Sequence, residues 1–318
     1  MNQLEFAGRL HNVERRGLSW VLKQQQYFNP LDYSEILKVD LALKASAELA
    51  LVCEHAYSDL EQEPLPEYQQ LASYLWVDVF SQDALQDYLL TTEVGLLTFG
   101  LYASLRRCGF RDKQYERKLQ ALLDDGYVSA AERVATRDLD FLHSLQRLDL
   151  TCDRESPAQA YARCLAAKHP SLLPLTTDDA YAFTHAIFFV TDFGRAPCWL
   201  SGNDLAYLST ALPRLLEYYL RKGNWDLVAE LLICLQAIGS AGVYAYTEGW
   251  RLLISAQEDD GSFPGPTDEQ RGRLWAETEE HNDDDVEWRR FHDNYHTTLV
   301  TLLACRSARR LFGDALAP

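Results

Sequence analysis

Apolar residues return every three to four positions along almost the whole chain, and stretches of strict alternation bounded by turn residues are hard to find. That periodicity commits the chain to helices packed on helices. Between Glu5 and Tyr27, Leu10, Val13, Leu18, Val21 and Leu22 form one stripe. Asn29-Pro30 ends this helix, because proline offers no N–H and restricts the residue before it. A second helix is expected over Tyr33–Ala56, capped by Asp32 or Ser34. Pairs follow over Tyr68–Phe80 and Asp83–Cys108, then over Asp112–Asp124 and Ser129–Leu148. After a short helix between Pro157 and His169, the pattern predicts helices over Tyr181–Phe193, Leu205–Leu220, Asp226–Ile238 and Tyr244–Ser255. The last helix is apolar on more than one side. Asp293 and Asn294 are read as its cap, with Tyr295 and His296 in the first turn, where free N–H groups and the positive dipole end favour anions.

Roughly twelve helices joined by short connections imply antiparallel neighbours. No repeat of fixed period stands out, which disfavours a regular solenoid. The expectation is therefore a single all-α domain over residues 1–318, an α/α toroid of about six helical hairpins, with an acidic loop at about residues 267–290.

Composition narrows the partners. With 47% hydrophobic residues the chain has material for a substantial core. The formal net charge of -17 and the lack of any basic tract would repel a phosphate backbone, so nucleic acid is not expected as a partner. There is no charged-then-apolar leader and no run near the ~18 apolar residues of a membrane span, which points to a cytoplasmic protein. Seven scattered cysteines without a CxxC pair read as reduced thiols.

Two stretches carry a family resemblance. Gln257-Glu258-Asp259-Asp260-Gly261-Ser262-Phe263 resembles the Q-x-x-D-G-S-[WF] turn between toroid helices. Asp293-Asn294-Tyr295-His296-Thr297 resembles the D-x-Y-H-T run of protein prenyltransferase β subunits. The chain thus looks like a divergent, stand-alone bacterial-type branch of the α/α toroids shared by terpenoid cyclases and prenyltransferase β subunits. The resemblance implies a central cavity lined by inner helices, and zinc on His296. The Asp-x-Cys pair that completes that zinc site has no counterpart at the same spacing; the corresponding region offers Asp226, Glu230 and Cys234. The acidic tract Glu277–Glu287 contains D-D-x-x-E but reads as a solvated loop, placed to act as a lid.

Polar residues at apolar-helix positions supply the candidate site. His185 and Asp192 lie seven residues apart, two turns, on one face of an otherwise apolar helix. Asp226 and Glu230 share a face at i, i+4, and a carboxylate between leucines is costly to bury unpaired. Each has an ordinary structural alternative, as a satisfied core group or a solvent-facing one. In the toroid frame, His185, Asp192, Glu230, Asp293 and His296 are the candidate catalytic residues, and Tyr181, Tyr295, Glu93 and Asp226 the candidate substrate-binding ones. His185, Asp192 and His296 are the candidate ligands of a divalent metal, since carboxylates and imidazole suit zinc, iron or manganese. The leading expectation is a small-molecule tailoring enzyme of bacterial specialised metabolism acting by acid–base or metal-assisted chemistry. The alternative is a non-catalytic helical scaffold that binds a protein or peptide partner.

Overall fold

A computed structural model describes residues 3–58, 64–91, 96–173, 175–265 and 283–312. All regular structure among these residues is helical, with no strand, and none of the described helices is long and apolar enough to cross a membrane. Glu93 and residues 266–282, most of the acidic segment, lie outside the described residues.

The chain divides into two compact units. The first comprises Met1–Tyr27, Ser171–Thr184 and Phe193–Pro318; the second comprises Phe28–Pro170 and His185–Asp192.

In the second unit, α2 (Ile36–Tyr57), α5 (Leu96–Arg107) and α8 (Ala135–Leu148) pack in sequence, α2 on α5 and α5 on α8. Small residues on α2, among them Ala42, Ala45, Ala50 and Ala56, are buried and let the helices approach. Around this stack lie α3 (Pro66–Tyr74), α4 (Asp83–Thr91), α6 (Lys113–Asp124), the single turn α7 (Tyr127–Ala130) and α9 (Pro157–Arg163). The Asp112 side chain caps α6, accepting from the N–H groups of Gln114 (2.8 Å) and Tyr115 (3.0 Å). The expected single helix over Tyr68–Phe80 instead widens into a π-helical stretch, Leu75–Phe80, within which Trp76 stacks on Phe80. Phe80 in turn stacks on Tyr102 of α5 and meets Tyr115 of α6 edge-on. The π-helical winding and this aromatic cluster coincide.

The first unit is built on α1 (Gln3–Lys23), the first half of α10 (Thr177–Thr191), α11 (Gly202–Lys222), α12 (Trp225–Ala237), α13 (Tyr244–Ser255) and α14 (Asp283–Phe312). Every residue of α12 from Asp226 to Gln236 is buried. It packs on α11, α13 and α14, and α1 covers another part of α14. The cap residue Asn224 accepts the Leu227 N–H at 3.0 Å.

The last helix begins ten residues earlier than its cap-like residues suggest. Asp293 and Asn294 sit inside α14, so their backbone N–H groups belong to the helical ladder and not to an anion-binding first turn. The reason is tertiary. Trp288 and Phe291 are buried, and Phe291 stacks on Trp20 and Tyr27, which extends the apolar stripe upstream of the polar cluster. Asn294 serves instead as a side-chain donor to Ser262 Oγ at 3.3 Å.

The turn after α13 ties α1 to α14. Glu258 N–H donates to the Ser262 carbonyl (2.9 Å), and Asp260 accepts from both the N–H and the hydroxyl of Ser262 (2.9 and 2.7 Å). Gln257 donates to the Val13 carbonyl of α1 at 3.1 Å, while Phe263 N–H donates to the Thr298 hydroxyl of α14 at 2.9 Å. The Phe263 ring is fully buried, and covering a side chain of that size contributes about 1.5–3 kcal/mol. At the bend Gly261 has φ +99°, and a Cβ there would lie 2.3 Å from the Arg16 carbonyl oxygen. Gly261→Ala should therefore cost about 2 kcal/mol or more, from the left-handed backbone and the backbone clash together. Chemical denaturation will show a lowered midpoint; an unchanged one would contradict this account of the turn.

Candidate functional site

One side of α12 faces α10 and α14 with two carboxylates, Asp226 and Glu230, one helical turn apart. They are 2% and 1% exposed. Two such charges cannot leave water without strong compensation, because burying an ion costs several kcal/mol.

Two hydroxyls from α10 meet one oxygen of each carboxylate. Tyr181 Oη donates to Asp226 Oδ2 at 2.6 Å, and the Thr184 hydroxyl lies against Glu230 Oε2. Tyr181 and Thr184 are three residues apart and so share a helix face, matching the i, i+4 carboxylates opposite. Thr184 has one proton and also lies near the carbonyls of Ala180 and Tyr181, but an ionised carboxylate is the stronger acceptor. The side chain of Asn224, the cap of α12, lies beside the Tyr181 oxygen and opposes the rise in its pKa. The opposite oxygens turn toward α14. His296 Nε2 lies 3.4 Å from Asp226 Oδ1 and 3.8 Å from Glu230 Oε1. The ring is partly open, with 28% of the side chain exposed.

Asp226, Glu230 and His296 each present a ligand atom, and the three atoms lie within 4.8 Å of one another. Among the described residues no other set of three His, Cys, Asp or Glu side chains has this arrangement. Two carboxylates and an imidazole form a donor set for zinc, manganese or iron. Cys234, one turn further along α12, is buried with Sγ 3.7 Å from the Thr184 carbonyl. Burial, with Glu230 adding to it, pushes its thiol well above the usual range, which disfavours the thiolate that a nucleophile needs.

A family model described as a domain of unknown function (DUF6895) matches residues 14–306, nearly the whole chain. The chain belongs to the DUF6895 family. No curated protein and no solved structure gives a match. The DUF6895 region takes in α10, α12 and α14 as far as Arg306, so every residue of the cluster falls inside it.

The other candidate residues of this DUF6895 chain are placed as follows. His185 belongs to the second unit, with its ring near those of Phe188 and Phe189. Asp192, also in that unit, accepts from His143 Nε2 of α8 at 2.7 Å. The chain leaves α10 there through three successive positive-φ residues, Asp192 (47°), Phe193 (53°) and Gly194 (79°). Tyr295 is buried, stacked on Phe291 and edge-on to His296. Asp293 lines a cleft of about 680 Å³ together with Asp259, Asp260, Arg289, Arg290 and Asn294. Neither the two carboxylates nor His296 line that cleft, so the cluster and this cleft are different places.

Thr184, Asn224 and His143 are absent from the sequence-based candidates. For Thr184 the signal was present in the three-residue spacing from Tyr181, which puts both hydroxyls on one face. Asn224 declares itself only as a cap, and the His143 pairing depends on contacts 49 residues apart in the chain.

Burial, reinforced by the charges of Asp226 and Glu230, drives the Tyr181 phenol far above its ordinary range, so the proton stays on the oxygen that donates to Asp226. A raised folded-state value means stability that is complete below the unfolded value of about 10 and declines as pH rises beyond it. The gap in stability between wild type and Tyr181→Phe should therefore narrow above about pH 10. Parallel denaturation curves at neutral and alkaline pH measure this; a gap that stays constant would contradict the buried phenol.

Proposed function

We propose that the chain is an enzyme acting on a small organic substrate, with Asp226, Glu230 and His296 holding a divalent metal ion. The observation that carries the reading is how the buried carboxylates of this protein are met. Glu14 is met by Arg306 and Arg309, Glu54 by Arg147, and Asp138 by Arg154 and Arg163. Asp226 and Glu230 are met by two hydroxyls and an imidazole. Three buried carboxylates among the described residues are thus held by guanidinium groups, whereas Asp226 and Glu230 share a side with an imidazole, at a spacing that a cation fits.

Three protein ligands are also the number that leaves coordination positions open for water or substrate. A divalent ion there supplies Lewis acidity and a lowered pKa for bound water. The protein's own part is positional. Asp226 and Glu230 provide the negative charge, His296 a neutral nitrogen from the opposite helix, and Tyr181 and Thr184 the bonds that hold the carboxylates in place. The partial exposure of His296 provides the approach from outside. The metal trio in this reading shares His296 with the set expected from sequence and takes its carboxylates from α12.

The reading includes the α/α toroid. Its support is the order of packing inside each unit, α2 on α5 on α8 in one and α12 on α14 in the other, with α11 and α13 against α12.

Metal analysis and calorimetric titration with zinc, manganese and ferrous iron test the proposal. Wild type should bind one equivalent and gain thermal stability with added ion, as any ligand that binds only the folded state produces. His296→Ala should lose that gain while remaining folded, because the ring is partly exposed. Dialysed wild-type protein that binds none of the three ions and shows no thermal shift would rule the reading out.

A further inference from the structure

The α10 hydroxyls do more than satisfy buried acceptors. Tyr181 occupies Asp226 Oδ2 and Thr184 occupies Glu230 Oε2, while the oxygens nearest His296 are the other two, Asp226 Oδ1 and Glu230 Oε1. Resting on the metal reading above, we infer that Tyr181 and Thr184 are positioning residues that make both carboxylates single-oxygen ligands and thereby set which cations the site accepts.

The consequence follows from coordination chemistry. A carboxylate with one oxygen committed to a hydroxyl offers a cation its second oxygen alone. Two single-oxygen carboxylates and one imidazole then give three protein bonds, which suits small ions such as zinc or manganese that complete their shell with water or substrate. Calcium takes six to eight oxygens at longer distances and is commonly held by bidentate carboxylates, so this arrangement disfavours it. The two hydroxyls are also held from behind. The Asn224 side chain lies beside the Tyr181 oxygen, whose proton goes to Asp226 Oδ2 at 2.6 Å, and Thr184 is fixed in the buried face of α10. Outer bonds of this kind orient ligands, and their loss characteristically weakens metal affinity about 10–100-fold.

Titration calorimetry with Mn²⁺, Zn²⁺ and Ca²⁺ on wild type, Tyr181→Phe, Thr184→Val and Thr184→Ser tests this, with the melting temperature of each metal-free protein measured alongside. Wild type should bind Mn²⁺ and Zn²⁺ and discriminate against Ca²⁺. Tyr181→Phe and Thr184→Val should each bind Mn²⁺ about 10–100-fold more weakly, with reduced discrimination against Ca²⁺. Thr184→Ser keeps the hydroxyl and should restore affinity to within a few-fold, which a purely packing role for the Thr184 side chain would not produce. If Tyr181→Phe and Thr184→Val bind Mn²⁺ as wild type does, or if Thr184→Ser is as weak as Thr184→Val, the positioning role is overturned and the metal site stands. If wild type binds no ion, the metal reading itself fails and this inference goes with it.

Discussion

The burial of α12 on every side is the constraint from which the rest of the first unit follows. Eleven consecutive residues, Asp226 to Gln236, are out of water, and two of them are acids. Leucine, isoleucine and valine on that helix supply the driving force for burial. The acids ride along, and their charges have to be answered by whatever α10 and α14 present. What those helices present is Tyr181, Thr184 and His296. An apolar core helix thus forces a polar cluster to assemble around it.

Buried charge is a recurring problem in this acidic protein, and its usual solution is arginine. The Glu54 carboxylate is bound by Arg147, whose guanidinium also donates to the Ser104 hydroxyl at 2.7 Å. Asp138 draws in Arg154 and Arg163 and so ties the chain after α8 to that helix. Glu14 holds Arg309 of α14 at 2.6 Å and thereby joins the first helix to the last. These are permanent cations on long stems, suited to fixing helices against each other. Hydroxyls and an imidazole are a different chemistry, adjustable in charge and able to share a bound ion, and they occur where a partly open ring gives access from outside.

Much of this was legible from the chain. Most helices stand within a few residues of where periodicity puts them, and Tyr244–Ser255 coincides with α13, but α8 begins at Ala135 where Ser129 was expected, and the expected Asp83–Cys108 helix is described as α4 and α5. The i, i+4 spacing of Asp226 and Glu230 inside a leucine-rich stretch marked them as unusual, and His296 drew attention as a polar residue entering an apolar helix. The start of α14 was misplaced because Asp293-Asn294 looks like a cap; buried Trp288 and Phe291 carry the helix on upstream, and packing outweighs a local capping preference. The pairing of Asp192 with His143 had no local signal, since no periodicity links residues on two helices.

The sequence by itself determined the helical class, the apolar identity of α12 and the presence of two acids on one of its faces, because those depend on spacing along a single helix. Only the tertiary structure decided which oxygens meet Tyr181 and Thr184 and which turn to His296. That choice is made by three helices drawn from positions up to 115 residues apart in the chain, and side-chain geometry across such distances is set by packing, which a one-dimensional pattern does not contain.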